Sequence, residues 1–237
     1  MFARHDLAWL GEAGWRQVLA GAAPEHALAL ERWREADWPL VVRRADVDQA
    51  PGQVALGLAL PPRPGDGRKL RIPCRVDASG VKRRQAPLPL AQVNLQVSAH
   101  MCSHQDEQPR RWNGALATLA ADAAAQGINL RVYGSMALQQ LTGQAYLTAA
   151  SDIDVLVKPR DRAGLDAALA LLHTHAASLP LDGEIVFPGG QAVAWKEWAA
   201  AQAGAPGIRV LVKAMNGVAL ARIETLLATL EEATCTT

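Results

Sequence analysis

The spacing of apolar residues becomes regular about halfway along the chain. From Trp112, Leu116, Leu119 and Ala123 recur at helical spacing, and Gly127 stops that helix. Leu130 and Val132 share one face of a strand over 129–133. A second strand is predicted over 151–157, then a helix over 162–175 with Leu165, Leu169 and Leu172 on one stripe. Further strands are predicted over 184–187, 192–195 and 208–213, and a closing helix over 217–232 carrying Leu220, Ile223, Leu227 and Leu230. The first part is less regular. Residues 6–20 and 25–36 read as short helices, and 38–43, 53–60 and 69–76 as strands. The breakers in 61–67 form a turn. Residues 87–104 read as a connection, and 105–111 as a linker or the start of a helix. The pattern predicts a β-rich domain over 1–108. An α/β or α+β domain with flanking helices follows over 109–237.

Half of the 237 residues are hydrophobic, enough for a sizeable core in one large domain or two small ones. The net charge of +1 creates no global field that would favour nucleic acid or a membrane surface. No run approaches the roughly 18 apolar residues of a membrane span. Cys74, Cys102 and Cys235 fit no disulfide framework or zinc pattern, and the first residues lack a signal peptide's apolar run, so a cytoplasmic location is expected. Charge is locally uneven. Residues 63–84 hold eight basic and two acidic side chains, a +6 segment suited to a phosphate-rich ligand, an acidic protein partner or simply solvent.

The chemistry-bearing pattern begins at Ser151-Asp152-Ile153-Asp154-Val155-Leu156-Val157. Alternation sends Ile153, Val155 and Val157 to the core and sets Asp152 and Asp154 together on the other face. Adjacent carboxylates repel unless a cation neutralises them, and Mg²⁺ prefers carboxylates together with substrate phosphates. A solvated strand face is the plainer explanation, although aspartate is disfavoured in strands. Upstream, a strand enters Gly134-Ser135 and a helix-like segment. Glycine there admits a phosphate to the backbone, and a helix N-terminus offers it free N–H groups. A lone Gly-Ser is more often a turn with a serine N-cap, so the combination carries more weight than either part.

Gly-Ser, then Asp-x-Asp, then a later carboxylate resembles the nucleotidyltransferase superfamily typified by DNA polymerase beta. Sixteen residues separate Ser135 from Asp152, more than that pattern usually has. Asp182 and Glu184 are the candidates for the third carboxylate, and Glu184 is preferred because Ile185 and Phe187 then face the core. The elements between the two motifs narrow the resemblance. Leu141-Thr142-Gly143 and Tyr146-Leu147, with Asp182-Gly183-Glu184, 192–197, 210–213 and 38–44, are similar to the phosphoribosyl-dephospho-CoA transferase of malonate decarboxylase over nearly the whole chain.

That resemblance implies a polymerase-beta-like catalytic domain. It also implies transfer of 2′-(5″-phosphoribosyl)-3′-dephospho-CoA from its triphosphate precursor to a serine of the acyl carrier protein, with release of diphosphate, and leaves the domain over 1–108 for carrier-protein or substrate docking. The implied metal is Mg²⁺, with Mn²⁺ as a substitute, held by Asp152, Asp154 and Glu184. Gly134, Ser135 and Lys213 are the implied phosphate-binding residues, although a strand-end lysine also snorkels to solvent without such a role. Two rival readings are an adenylyltransferase using ATP on a small molecule or protein, and a binding module that has kept the fold. The intact carboxylate pair argues against the second.

Other residues read more plainly. His100 and His104 flank Cys102 at i, i+4 spacing but lack a third zinc ligand. His173 and His175 suit a helix C-terminus. Trp195 and Trp198 read as packing residues, and at least one of Arg43 and Arg44 is expected to face solvent.

Overall fold

The computed structural model describes residues 1–94, 108–204 and 207–234, and describes no side chains at 108–111 or 232–234. The His100/His104 pair, Cys102 and Cys235 therefore lie outside the described residues. The chain divides into two compact units. Met1–Pro87 with Met215–Gly217 forms the first, and Leu88–Ala214 with Val218–Thr237 the second. This division falls about twenty residues before the expected boundary at 108, because the segment read as a connection contributes a strand to the second unit. The fold class is α+β, with one sheet in each unit.

The first unit carries an antiparallel sheet built from β1 (Leu7–Leu10), β2 (Leu40–Val42), β3 (Gln53–Ala59), β4 (Arg71–Asp77) and β5 (Val81–Gln85) in the order β4-β3-β2-β1-β5. Helices α1 (Glu12–Ala20) and α2 (Ala27–Glu35) accompany it. The structure corrects the helix expected over 6–20. Leu7–Leu10 is a strand buried on both faces, and only Glu12–Ala20 is helical. A four-residue apolar run has no period that separates strand from helix. β5 was not anticipated, because Lys82, Arg83 and Arg84 fill it with exposed side chains. Trp33 anchors this core at 1% exposure, and its indole N–H donates to the Pro39 carbonyl at 3.1 Å.

The second unit carries a seven-stranded sheet: β6 (Leu88–Pro89), β7 (Arg131–Val132), β8 (Ile153–Val157), β9 (Leu181–Val186), β10 (Ala192–Ala194), β11 (Arg209–Ala214) and β12 (Gly217–Arg222), ordered β12 to β6 across the sheet. β8 and β9 pair in parallel, whereas β6–β7, β7–β8, β9–β10 and β10–β11 pair antiparallel, so the sheet is mixed. Its helices are α3 (Gln108–Ala125), α4 (Gly134–Thr142), α5 (Arg162–His175), α6 (Trp195–Gln202) and α7 (Ile223–Thr234). Asp161 caps α5 by accepting from Gly164 N at 2.7 Å.

Two further expectations are corrected here. The strand over 192–195 ends at Ala194, and Trp195 opens α6 instead. The helix expected from Gly217 begins only at Ile223, because Gly217–Arg222 is an edge strand. Leu220 is accordingly 60% exposed, and Leu226 and Leu230 are the buried leucines of α7. No helix among the described residues is long and apolar enough to cross a membrane.

Candidate functional site

The site is built on one face of the mixed sheet. Alternation along β8 buries Ile153, Val155 and Val157 at 0–3% exposure, and Asp154 points to the opposite face. Residues paired across strands share a face, so register identifies its neighbours. Asp154 pairs with Asp182 and Leu156 with Glu184; Glu184 pairs with Ala194, and Lys213 with Ala192 on the adjoining strand. Gly183 makes this alignment possible. A Cβ there would lie 1.8 Å from the Val155 carbonyl oxygen, and its φ of +132° disfavours a side chain in any case. The glycine between the two acidic residues is thus required by the close approach of β8 and β9.

The two candidates for a third carboxylate differ sharply. Glu184 is 4% exposed, and Lys213 Nζ donates to its Oε1 at 3.0 Å. Asp182 is 45% exposed, and its nearest cation, Lys196, stands 3.9 Å away. Glu184 is therefore the buried, ion-paired member, and Lys213 stands beside it rather than alone at a strand end.

Gly134 and Asp154 are brought into direct contact. Gly134 has φ +64° and is the first residue of α4, and a Cβ on it would sit 2.0 Å from Asp154 Oδ2. The glycine thus admits a carboxylate of this chain to the start of the helix. Ser135 lies within the first turn. The N-cap is Tyr133, and no side-chain oxygen caps the helix, so the serine N-cap explanation does not hold. Tyr133 N donates to the Asp154 carbonyl at 3.1 Å, which ties the helix start to β8.

The segment between the two motifs is pinned at both ends. Gln139, on α4 and 2% exposed, accepts from Tyr146 N at 3.0 Å and from Leu147 N at 2.9 Å. Tyr146 and Leu147 are themselves buried, and Gly143 ends α4 at φ +70°. Thr148 N donates to Ser151 Oγ at 2.9 Å, forming a turn that leads directly into Asp152. The sequence reading missed Gln139. The signal was an amide inside an otherwise apolar helical stretch, which calls for a backbone partner. It also missed Arg131 and Tyr133, which register with β8 places on the same face as Asp154.

Whether this face suits Mg²⁺ depends on its donors. Among the described residues, no group of three His, Cys, Asp or Glu side chains converges to hold a metal by protein alone. Mg²⁺ characteristically takes one or two carboxylates and completes its shell with phosphate oxygens and water. An exposed Asp152 followed by a half-buried Asp154, opening toward a helix N-terminus, fits that mode. Glu184, the third carboxylate of the expected set, is already engaged by Lys213.

The remaining candidates are structural. Trp195 and Trp198 are buried, and Trp198 packs on Phe187 with ring centroids 4.9 Å apart. His175 Nε2 lies 2.9 Å from Asp122 Oδ2, joining α5 to α3. The basic segment of the first unit is largely engaged locally. Lys82 pairs with Asp37 at 2.8 Å, Arg83 stacks over Trp9 at 3.6 Å, Arg84 pairs with the buried Asp6, and Arg75 bridges Asp46 and Asp48.

Fold and site together describe a two-unit α+β protein whose second unit gathers acidic side chains on one face of a mixed sheet, at the start of a helix. Comparison with known proteins gives that class a family. Residues 95–224 match the phosphoribosyl-dephospho-CoA transferase MdcG C-terminal domain, and residues 3–87 match the N-terminal domain of the same family. A phosphoribosyl-dephospho-CoA transferase of Xanthomonas campestris pv. campestris is 37% identical over 223 residues, covering 93% of this chain and 94% of the relative. One of Bradyrhizobium diazoefficiens is 38% identical over 200 residues, 82% of this chain and 80% of the relative. One of Pseudomonas putida is 30% identical over 215 residues, 90% of each. No solved structure matches. The chain belongs to the phosphoribosyl-dephospho-CoA transferase family and is an enzyme of the transferase class.

Proposed function

We propose that this enzyme moves 2′-(5″-phosphoribosyl)-3′-dephospho-CoA from 2′-(5″-triphosphoribosyl)-3′-dephospho-CoA to a serine of the acyl carrier subunit of malonate decarboxylase, with release of diphosphate. The observation that carries the reading is the contact of Gly134 with the Asp154 carboxylate at the start of α4, in a chain related along its length to phosphoribosyl-dephospho-CoA transferases. The donor's phosphates lie against the first turn of α4, where the backbone N–H groups of Gly134 and Ser135 and the serine hydroxyl receive them. Asp152 and Asp154 would hold Mg²⁺. When bound, the ion neutralises charge that develops on the triphosphate as diphosphate leaves. Lys213 adds a positive charge on the same face, balanced in the resting enzyme by Glu184.

In the reaction, the serine oxygen forms a bond to the α-phosphorus and the bond from that phosphorus to the diphosphate oxygen breaks. Glu184 takes up the hydroxyl proton. Little covalent chemistry falls to the protein, so positioning and electrostatics carry the rate. The test is to incubate enzyme, apo-carrier, the CoA-derived triphosphate and Mg²⁺, and to follow the carrier by mass spectrometry. A mass increase of one phosphoribosyl-dephospho-CoA, matched by diphosphate release, is expected. An adenylyl adduct formed from ATP, or no adduct with the CoA-derived donor, would overturn the assignment.

A further inference from the structure

Among the described residues, large exposed apolar side chains are scattered singly except on one hairpin. Leu211 is 39% exposed, Val218 45% and Leu220 60%, and all three lie on β11 and β12 at the edge of the second unit's sheet. Within β11, Arg209, Leu211 and Lys213 share one face, while Val210 and Val212 are buried on the other. Val218, Leu220 and Arg222 likewise share a face of β12. Only Met215 and Asn216 connect the strands. A two-residue hairpin connection sets Ala214 opposite Gly217, and hence Lys213 opposite Val218, Leu211 opposite Leu220 and Arg209 opposite Arg222. The result is an apolar centre with two arginines at one end, on the face from which Lys213 reaches Glu184.

The charge of this hairpin is one-sided. Residues 209–222 include Arg209, Lys213 and Arg222 and no aspartate or glutamate. Arg209 and Arg222 are exposed, and neither has an ion-pair partner among the described residues. The cations at 75, 82 and 84, by contrast, are engaged by carboxylates of their own unit. An exposed apolar edge strand is normally blunted by charge or covered; here the hairpin's own charges are of one sign, and Glu197 of α6 accepts from Leu211 N at 2.6 Å.

We propose that the β11–β12 face docks the protein that carries the acceptor serine, through an acidic surface of that protein. The inference rests on the carrier-modification reading above. The contact it fits is an apolar patch rimmed by carboxylates. β12 lies four strand spacings from β8, roughly 19 Å at about 4.8 Å each. A small domain seated on the edge can span that distance and present its serine near Asp154.

The test measures direct binding of the apo acyl carrier subunit of malonate decarboxylase to wild type, Leu220→Asp and the pair Arg209→Glu/Arg222→Glu, alongside turnover. Binding is expected to weaken at least tenfold in each variant. The arginine pair should lose most of its effect at 1 M salt, where screening is nearly complete, and melting temperature and donor affinity should stay unchanged. Wild-type affinity in both variants, or no carrier binding by wild type, overturns the docking surface. So does a wild-type dimer, seen by sedimentation, that the variants dissociate, because the face would then be a self-interface. Wild type that binds the carrier but forms no adduct refutes the transfer reading and leaves the docking result standing on the binding data.

Discussion

A methyl group at position 134 has no room. It would fall 2.0 Å from Asp154 Oδ2, on a backbone whose φ of +64° is left-handed. Either the carboxylate or the first turn of α4 must therefore move. Displacement of a reacting group by about 1 Å can reduce rate by about a hundredfold, so Gly134→Ala is expected to reduce kcat by at least that factor. Ser135→Ala leaves the backbone N–H groups in place. It should weaken donor binding by about 1.5–3 kcal/mol, the range for a hydrogen bond to a charged group. Steady-state kinetics with donor titration compare the two, and a Gly134→Ala enzyme with normal kcat would dissolve the link between that glycine and the carboxylate. Glu184 gives a second residue-scale test, read in stability. Lys213→Met would take the lysine's positive charge away from a carboxylate that is 4% exposed. Breaking a fully buried pair costs about 3–5 kcal/mol, and because Lys213 is 39% exposed about 2–3 kcal/mol is expected here by urea unfolding. The double variant Lys213→Met/Glu184→Gln should recover most of that stability and none of the activity. Recovered turnover in the double variant would remove both residues from the site.

Among the elements, the segment that separates Gly-Ser from Asp-x-Asp bears most directly on the site. Gln139 satisfies two buried backbone N–H groups from inside α4. Replacing it with leucine removes this acceptor from both N–H groups, at about 1–3 kcal/mol each. Gln139→Leu should therefore lower unfolding stability by several kcal/mol. It should also lower kcat, because the Thr148–Ser151 turn that leads into Asp152 loses its anchor. A variant as stable as wild type would show that other contacts hold the loop. The elements also show where sequence periodicity misleads. In Gly217–Arg222, Leu220 falls in helical spacing with Ile223, Leu227 and Leu230, yet a two-residue turn folds the segment back as an edge strand. Leu7–Leu10 is too short to show any period. β5 escaped notice because its side chains are polar and it is secured by ion pairs and by Arg83 stacked on Trp9. The strands of the site face were legible because alternation of aspartate with Ile153, Val155 and Val157 has one physical interpretation. The same rule set both Asp182 and Glu184 on the face opposite Ile185 and Phe187 and did not choose between them; only burial and the Lys213 contact separate the two. The Gly134–Asp154 contact and the Glu184–Lys213 pair were not legible, because both join residues that only the sheet register brings together.

At the scale of the whole molecule, the units differ in how charge contributes to their stability. The second unit's buried ion pair lies on the site face. The first unit concentrates its charges in a surface cluster in which Arg43 donates twice to Asp46, at 2.5 and 2.6 Å, and Arg75 reaches both Asp46 and Asp48. Hydrogen bonding from Arg43 holds the Asp46 carboxyl below its ordinary value of 3.8, assisted by Arg75 and opposed by partial burial. Arg75, with the backbone N–H of Asp48 itself, lowers Asp48 in the same direction. A carboxyl whose folded pKa is depressed binds protons more readily when unfolded. Its contribution to stability is therefore fully present above the unfolded value near 3.8 and declines as pH falls through the lower folded value. The first unit should lose stability on acidification below about pH 4, and Asp46 should account for part of that loss. Asp46→Asn is expected to be less stable than wild type at pH 7, with the difference narrowing as pH falls toward 3. Because Asp46 is 26% exposed, the difference at pH 7 should be modest. Chemical denaturation of both proteins at a series of pH values, followed by the fluorescence of Trp9, Trp15, Trp33 and Trp38 in a background where the tryptophans of the second unit are replaced by phenylalanine, tests this. A gap that stays constant from pH 7 to pH 3 would mean that Asp46 supports the unit through shape rather than charge.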